Sequence, residues 1–370
     1  MPFDYLPFDY QLKMIGWLLA GVVSFLFLLT RRRRWKSSMM KLRFVHLLLS
    51  LWTFLAAFTV VELYFAVIFD QTDSFNMTMV SEKWFIRHIK PDQKILEFQN
   101  GDNTTYRDDR KFPTSISPTQ HHICFVGDSF TFGHGVPNVS DRFSNRVAAS
   151  LEREHPGRFI VSNLADAGRD THWVELILQM LTSSNYRVDT FVYVVCLNDI
   201  ETFHERWKTY YADLASHQPH FFLCHESYFL NFAYFRLKMF SVPDIHEYYS
   251  FVKEYYDGEP WLRMQRKLDE IHQLCRDHNI ELKIVVFPFM HNLGPDYDFH
   301  HAHTKLVNYC REAKIPVLDL EPVLAPHVEE GLTVSRFDAH PNERAHELAA
   351  EAIREFLSVD LFQAKSLGKK

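Results

Sequence analysis

The sequence predicts a doubly wound, three-layer α/β domain preceded by two apolar helices, and three observations carry that prediction. Five short, β-branched apolar runs alternate with amphipathic stretches from residue 120 onward. Two long runs with almost no formal charge fall within the first 70 residues. Polar clusters recur just after the strand-like runs, where an open α/β sheet collects its ligands. Composition closes off other classes. With 47% hydrophobic and 23% charged residues, the chain is neither disordered nor fibrous. The five cysteines, at 124, 196, 224, 275 and 310, include no C-x-x-C pair, so neither a disulfide scaffold nor a zinc ribbon is supported.

Taken in order, Met14 to Thr30 is a stretch of 17 uncharged residues, at the short end of what crosses a bilayer. Phe44 to Phe69 adds 26 residues whose only formal charge is Glu62. Together they predict a two-helix transmembrane hairpin over residues 1–70 that contacts the lipid bilayer through 14–30 and 44–69. The basic cluster follows the first apolar run instead of preceding it, which argues for an uncleaved anchor over a signal peptide. Arg31 to Arg34, Lys36, Lys41 and Arg43 lie in the link and hold it on the cytoplasmic side. Everything after Asp70 is then extracytoplasmic, on the periplasmic side if the membrane is a bacterial inner membrane. Glu62, eight residues before Asp70, is expected to snorkel to the interface.

Residues 71–118 read as a connector, polar and broken by Pro91, Pro113 and Pro118. Asn76, Asn103 and Asn138 each begin a glycosylation-type sequon. Buried parallel strands are predicted at 122–126, 159–164, 189–196, 281–288 and 315–319, and helices at 141–154, 171–183, 261–278, 302–313 and 342–357. This defines a domain over 119–360 with a short tail at 361–370. Residues 200–260 interrupt the alternation with an aromatic-rich insertion, expected to be helical and either to lid the site or to form a small core of its own.

The chemistry-bearing residues stand at strand ends. Gly127-Asp128-Ser129 closes the first strand, Asn163 to Asp170 with Gly168 follows the second, Cys196-Leu197-Asn198-Asp199 the third, and Asp338-Ala339-His340 precedes the final helix. A serine hydroxyl needs an imidazole to take its proton, and the imidazole needs a carboxylate to orient it. Donors fixed near the serine stabilise an oxyanion. In this order the four blocks resemble the SGNH hydrolase superfamily, the GDSL-type esterases and acyltransferases, over roughly residues 120–358. The resemblance implies a flavodoxin-like α/β/α fold with a parallel five-stranded sheet and acyl-ester chemistry. It makes Ser129 the nucleophile, His340 the base and Asp338 its orienting partner, with Ser129, Gly168 and Asn198 as oxyanion donors. Two positions depart from the family pattern: Cys196 replaces a glycine, and Asp-x-His replaces Asp-x-x-His, a spacing also found in membrane-associated relatives.

The implied function is a membrane-anchored serine esterase cleaving an acyl ester, such as O-acetyl on envelope carbohydrate, through an acyl-enzyme. Transfer to a sugar hydroxyl, or a non-catalytic glycan- or partner-binding domain, are the alternatives. No cofactor and no metal is expected: His121-His122 and His300-His301-x-His303 have no acidic or cysteine ligand at zinc spacing and read as surface or loop histidines. His346 is expected on the surface of the last helix, and His134 at a turn or in the pocket. Nucleic acid is not an expected partner. The net charge of −6 divides into +4 over residues 1–70 and −10 over the rest, so the domain is acidic.

Overall fold

In the computed structural model, residues 6–35, 38–69, 93–99, 101–206, 209, 212–213, 216–239, 241 and 243–367 are described. Asn76, Lys36, Pro91, Tyr210, Tyr211 and most of the first half of the connector lie outside them. The chain divides into two compact units. One gathers 1–70, 81–87 and 218–240; the other holds 71–80, 88–217 and 241–370.

The first unit is built on α1 (Phe8–Arg34) and α2 (Met39–Leu63), which continues into a π-helical turn at Tyr64–Ile68. Both helices are long and apolar enough to cross a membrane. The four arginines at the end of α1 sit where positive charge complements the helix dipole. The polar groups of the unit bond to one another: Trp17 Nε1 donates to Thr59 Oγ1 at 2.8 Å, and Trp52 Nε1 to the Gly21 carbonyl at 3.0 Å.

Glu62 does not snorkel. It is buried, and its carboxylate accepts hydrogen bonds from Tyr10 (2.7 Å), the Ser227 hydroxyl (2.5 Å), and the amides of Tyr228 (2.8 Å) and Phe229 (3.0 Å). Those amides open a helix, Tyr228–Met239. Glu62 thus supplies the side-chain acceptor that a helix start requires, from a position 165 residues earlier in the chain. Phe65 stacks on Phe229 and Phe232 of the same helix, so part of the aromatic insertion forms a core with the hairpin.

The second unit begins with an antiparallel hairpin, β1 (Gln93–Glu97) and β2 (Asn103–Arg107). The main sheet follows: β3 (His121–Gly127), β4 (Phe159–Asn163), β5 (Thr190–Cys196), β6 (Glu281–Phe287) and β7 (Val317–Asp319). All pairs are parallel, in the order β4-β3-β5-β6-β7. Every residue of the central strand β5 is buried, as an apolar run covered on both faces demands. Numbering α3 to α8 in chain order, α3 (Ser129–Phe132), α4 (Phe143–Glu154), α5 (Thr171–Ser183), α6 (Phe222–Glu226), α7 (Tyr228–Met239) and α8 (Pro243–Tyr255) precede β6. Between α8 and β6 runs α9 (Glu259–Asp277); α10 (His300–Glu312), α11 (Glu321–Leu324) and α12 (Glu343–Leu367) complete the chain. Helix α4 packs on α12, and α5 on α9, one pair for each face of the sheet.

The predicted strands and helices are all present, with ends moved by a few residues. The last helix runs to Leu367, beyond the 357 at which its apolar period fades. In this strand order the chain reverses direction beside β3, so the crevice at the carboxyl ends of β3 and β5 is the switch point where such sheets place their sites.

Candidate active site

Ser129 follows β3 directly. Asp128 caps the short helix α3, accepting from the Phe130 amide at 2.9 Å. The turn is tight enough to require Gly127: a Cβ there would lie 2.5 Å from Thr131 Oγ1 and 2.6 Å from the Val194 carbonyl. Asn163, at the end of β4, braces the same turn by donating to the Thr131 carbonyl (2.7 Å) and to Ser144 Oγ (2.8 Å).

From β9 (Asp338–Pro341), paired with β8 (Thr333–Ser335), His340 reaches the serine. His340 Nε2 lies 2.8 Å from Ser129 Oγ, and His340 Nδ1 lies 2.5 Å from Asp338 Oδ1. The shortened Asp-x-His spacing closes because Asp338 Oδ1 also accepts the His340 amide at 3.0 Å, so one carboxylate oxygen holds both backbone and ring. Asp338 is fully buried. Burial pushes its carboxyl up, but the His340 ring and its hydrogen bonds, with His134 beyond, outweigh this and leave it below the ordinary carboxylate range. Ser129, His340 and Asp338, separated by up to 211 residues, therefore form one hydrogen-bonded chain.

Gly168 has a φ of +74°, in the left-handed region that a side chain resists, with open space where its Cβ would stand. Asn198 lies on the 3-10 turn Leu197–Phe203 that follows β5, and its Oδ1 is buried without a hydrogen-bond partner among the described residues. Cys196, which stands in place of the family's glycine, is fully buried. Its thiol hydrogen-bonds the Asp128 carboxyl, and burial raises the thiol far above its ordinary range, with the Asp128 and Asp199 charges adding to the effect. Asp128 is itself pushed up by burial, to about 6.

His134 occupies both of the places expected of it, a turn and the site, and other neighbours escaped sequence reasoning. His134 lies against the pair, its ring 4.4 Å from that of His340 and its Nε2 3.9 Å from Asp338 Oδ2. The turn that carries it is pinned by Arg107, whose guanidinium donates to the carbonyls of Gly133 (3.0 Å), Val136 (2.8 Å) and Pro137 (2.9 Å). An arginine in a polar connector has no motif to betray this role. From α8, the Tyr249 ring lies tilted against His291 at 3.9 Å and edge-on to Phe289 at 5.3 Å, and burial raises its hydroxyl with help from Cys196, Asp338 and Glu201. Tyr248 donates to Glu201, which burial lifts to about 8. His346 is buried, not on the surface: it accepts the Phe143 amide at 3.2 Å, and burial lowers its ring to about 3. His122 and His303 are buried as well.

His134, Asp338 and His340 place three donor atoms within 4.8 Å. Both ring nitrogens of His340 are engaged, however, and a cation there would have to break the bond to Ser129. The arrangement instead suits proton transfer from a serine hydroxyl to an imidazole.

Residues 125–348 match the GDSL-like Lipase/Acylhydrolase family, and the chain belongs to it. It is thus a serine hydrolase acting on ester bonds. No curated protein matches. Among solved structures, the chain is similar to a member of the lipolytic protein G-D-S-L family from Veillonella parvula DSM 2008, at 15% identity and a TM-score of 0.38, over 64% of this chain and 97% of that one. It is also similar to the psychrotrophic esterase EstA from a Pseudoalteromonas species (12%, TM-score 0.39, 65% and 100%). The acetyl xylan esterase AlAXEase is a third (14%, TM-score 0.40, 63% and 97%).

Proposed function

We propose that the chain is a membrane-anchored, extracytoplasmic esterase in which Ser129 is the nucleophile, His340 the general base and Asp338 its orienting partner. The observation that carries this reading is the unbroken hydrogen-bond chain from Ser129 Oγ through His340 to Asp338. Ser129 Oγ attacks the ester carbonyl as its proton passes to His340 Nε2, which then gives that proton to the departing alcohol. The acyl-serine is cleared by water, activated by the same imidazole. The developing oxyanion is received by the amides of Ser129 and Gly168 and the side chain of Asn198. A small acyl ester, such as O-acetyl on envelope carbohydrate, is the proposed substrate class.

Anchoring is supported by two helices of membrane-spanning length and by the basic link between them, which orients the hydrolase unit away from the cytoplasm. The deciding experiment is hydrolysis of p-nitrophenyl acetate by the full chain in detergent micelles beside Ser129→Ala. Equal background rates in the two overturn the enzyme mechanism and leave a binding role. Adding a sugar acceptor then separates the two fates of the acyl-serine: an acetylated sugar among the products identifies an O-acyltransferase.

A further inference from the structure

A second cluster of imidazoles and carboxylates, sharing no residue with the triad, gathers where β7 ends. His300 and His303 lie three residues apart at the start of α10, so they share a face of its first turn. Asp319 is the last residue of β7, and Glu321 begins α11. His303 Nδ1 lies 2.7 Å from Asp319 Oδ1 and 3.8 Å from Glu321 Oε2, while His300 Nδ1 lies 2.5 Å from Glu321 Oε1. The ligand atoms of His303, Asp319 and Glu321 all fall within 4.8 Å of one another. In sequence the histidines have no acidic partner at zinc spacing, because the partners arrive from 16 to 21 residues downstream, across a helix and a strand.

We propose that His300, His303, Asp319 and Glu321 bind a divalent transition-metal ion of the zinc class, which clips the first turn of α10 to the end of β7. Two imidazoles with two carboxylates suit zinc, whereas magnesium and calcium favour all-oxygen sets. Two donors on one tetrahedral zinc stand about 3.3 Å apart, given bonds of about 2.0–2.2 Å; His303, Asp319 and Glu321 already gather within 4.8 Å, and the exposed His300, held by Glu321, is the ligand that swings in to close the set. The two carboxylate charges neutralise the dication. His303 is also oriented from behind: its Nε2 lies 3.2 Å from the Tyr297 hydroxyl, which accepts the Phe289 amide at 3.0 Å. With Nδ1 on the metal, Nε2–H donates to that hydroxyl, the outer-shell partner a ligating histidine normally has. His303 is buried while His300 is exposed, which gives the ion a rigid inner ligand and an entry from solvent. Because Tyr297 also holds Phe289, and Phe289 packs on Tyr249, the clip steadies the loop after β6 that borders the active site.

The test uses the full chain in detergent micelles, stripped with chelator and titrated with zinc sulfate by calorimetry, with cobalt(II) absorption as a geometric reporter. Expected are one zinc per chain, a tetrahedral-type cobalt spectrum and a melting temperature raised by zinc. His300→Ala and Glu321→Gln should each weaken binding at least tenfold and abolish the thermal shift. His340→Ala should bind zinc as the parent does. His300 is exposed and Gln preserves the shape of Glu321, so both variants are expected to fold, which their parental melting without zinc would verify. Absence of stoichiometric binding, unchanged affinity in both variants, or loss of binding in His340→Ala alone overturns the proposal, the last by assigning the ion to the triad.

Discussion

Along α1 and α2 the exposed side chains include Leu19, Val23, Phe54 and Val60, and the buried ones include Tyr10, Thr59 and Glu62. In the hydrolase unit the distribution is reversed: β3, β5 and β6 bury the apolar runs Ile123–Val126, Phe191–Cys196 and Ile284–Phe287. A sheet covered by helices gains its stability by removing apolar surface from water. A helix pair that presents leucine outward and satisfies its polar groups inward is suited to a solvent that cannot hydrogen-bond. The two units also treat a buried carboxylate differently. Glu62 is held by four donors and caps a helix, while Asp338 accepts from the His340 imidazole and amide, with the His134 ring 3.9 Å from its other oxygen. The first carboxylate is spent on architecture and the second is poised beside a reactive group.

Substitutions that respect this division should separate activity from assembly. Ser129→Ala is expected to show the largest effect, a loss of at least about 10³-fold in kcat on p-nitrophenyl acetate with an unchanged melting temperature. Next, Asn198→Ala should lower kcat by about 10²–10³ while leaving KM within a few-fold, as removal of one oxyanion donor does. A KM effect alone would move Asn198 out of that role.

Acid should act on the hydrolase unit through its buried histidines. Burial lowers the His122 ring from 6.5 to about 4, with Nδ1–H donating to the Arg187 carbonyl and Nε2 accepting from the Ser162 hydroxyl. The unfolded chain takes up a proton below about pH 6.5, whereas the folded chain resists it until about pH 4. The contribution of His122 is therefore complete above pH 6.5 and is lost as the pH falls to about 4, by about 3 kcal/mol. Denaturant titrations of the full chain at a series of pH values check this, and His122→Gln should flatten the slope in that window. The smallest effect on catalysis, and the sharpest on the comparison, is expected from Glu62→Ala. It should destabilise the hairpin unit by about 1–3 kcal/mol through orphaned donors while kcat stays at the parental value. A matching fall in kcat would show that the two units are not energetically separable.

Much of the hydrolase unit is legible because its code is local. An apolar run of five to seven residues announces a parallel strand wherever it lies, and a polar cluster after it falls at the carboxyl edge by construction. The blocks that hold Ser129, Gly168, Asn198 and His340 are therefore legible as an ordered set, and the structure joins Ser129 to His340. Arg107 was not, because its role is to hold three carbonyls some 26 to 30 residues away, and nothing in its own neighbourhood requires an arginine. His346 misled for a related reason: its place on a helix marked by alternating charges hides the fact that its face packs on α4.

By itself, then, the sequence determined the strand and helix order, the apolar hairpin with its basic link, and the residues available for acyl chemistry. These follow from periodicity, charge and turn chemistry within a few residues of each position. Tertiary structure alone decided which polar groups meet: Glu62 with the helix at 228, His303 with Asp319 and Glu321, and the shortened Asp338–His340 pair with Ser129. Such meetings depend on the packing of elements distant in the chain, where a buried donor or acceptor must find whichever partner the fold delivers.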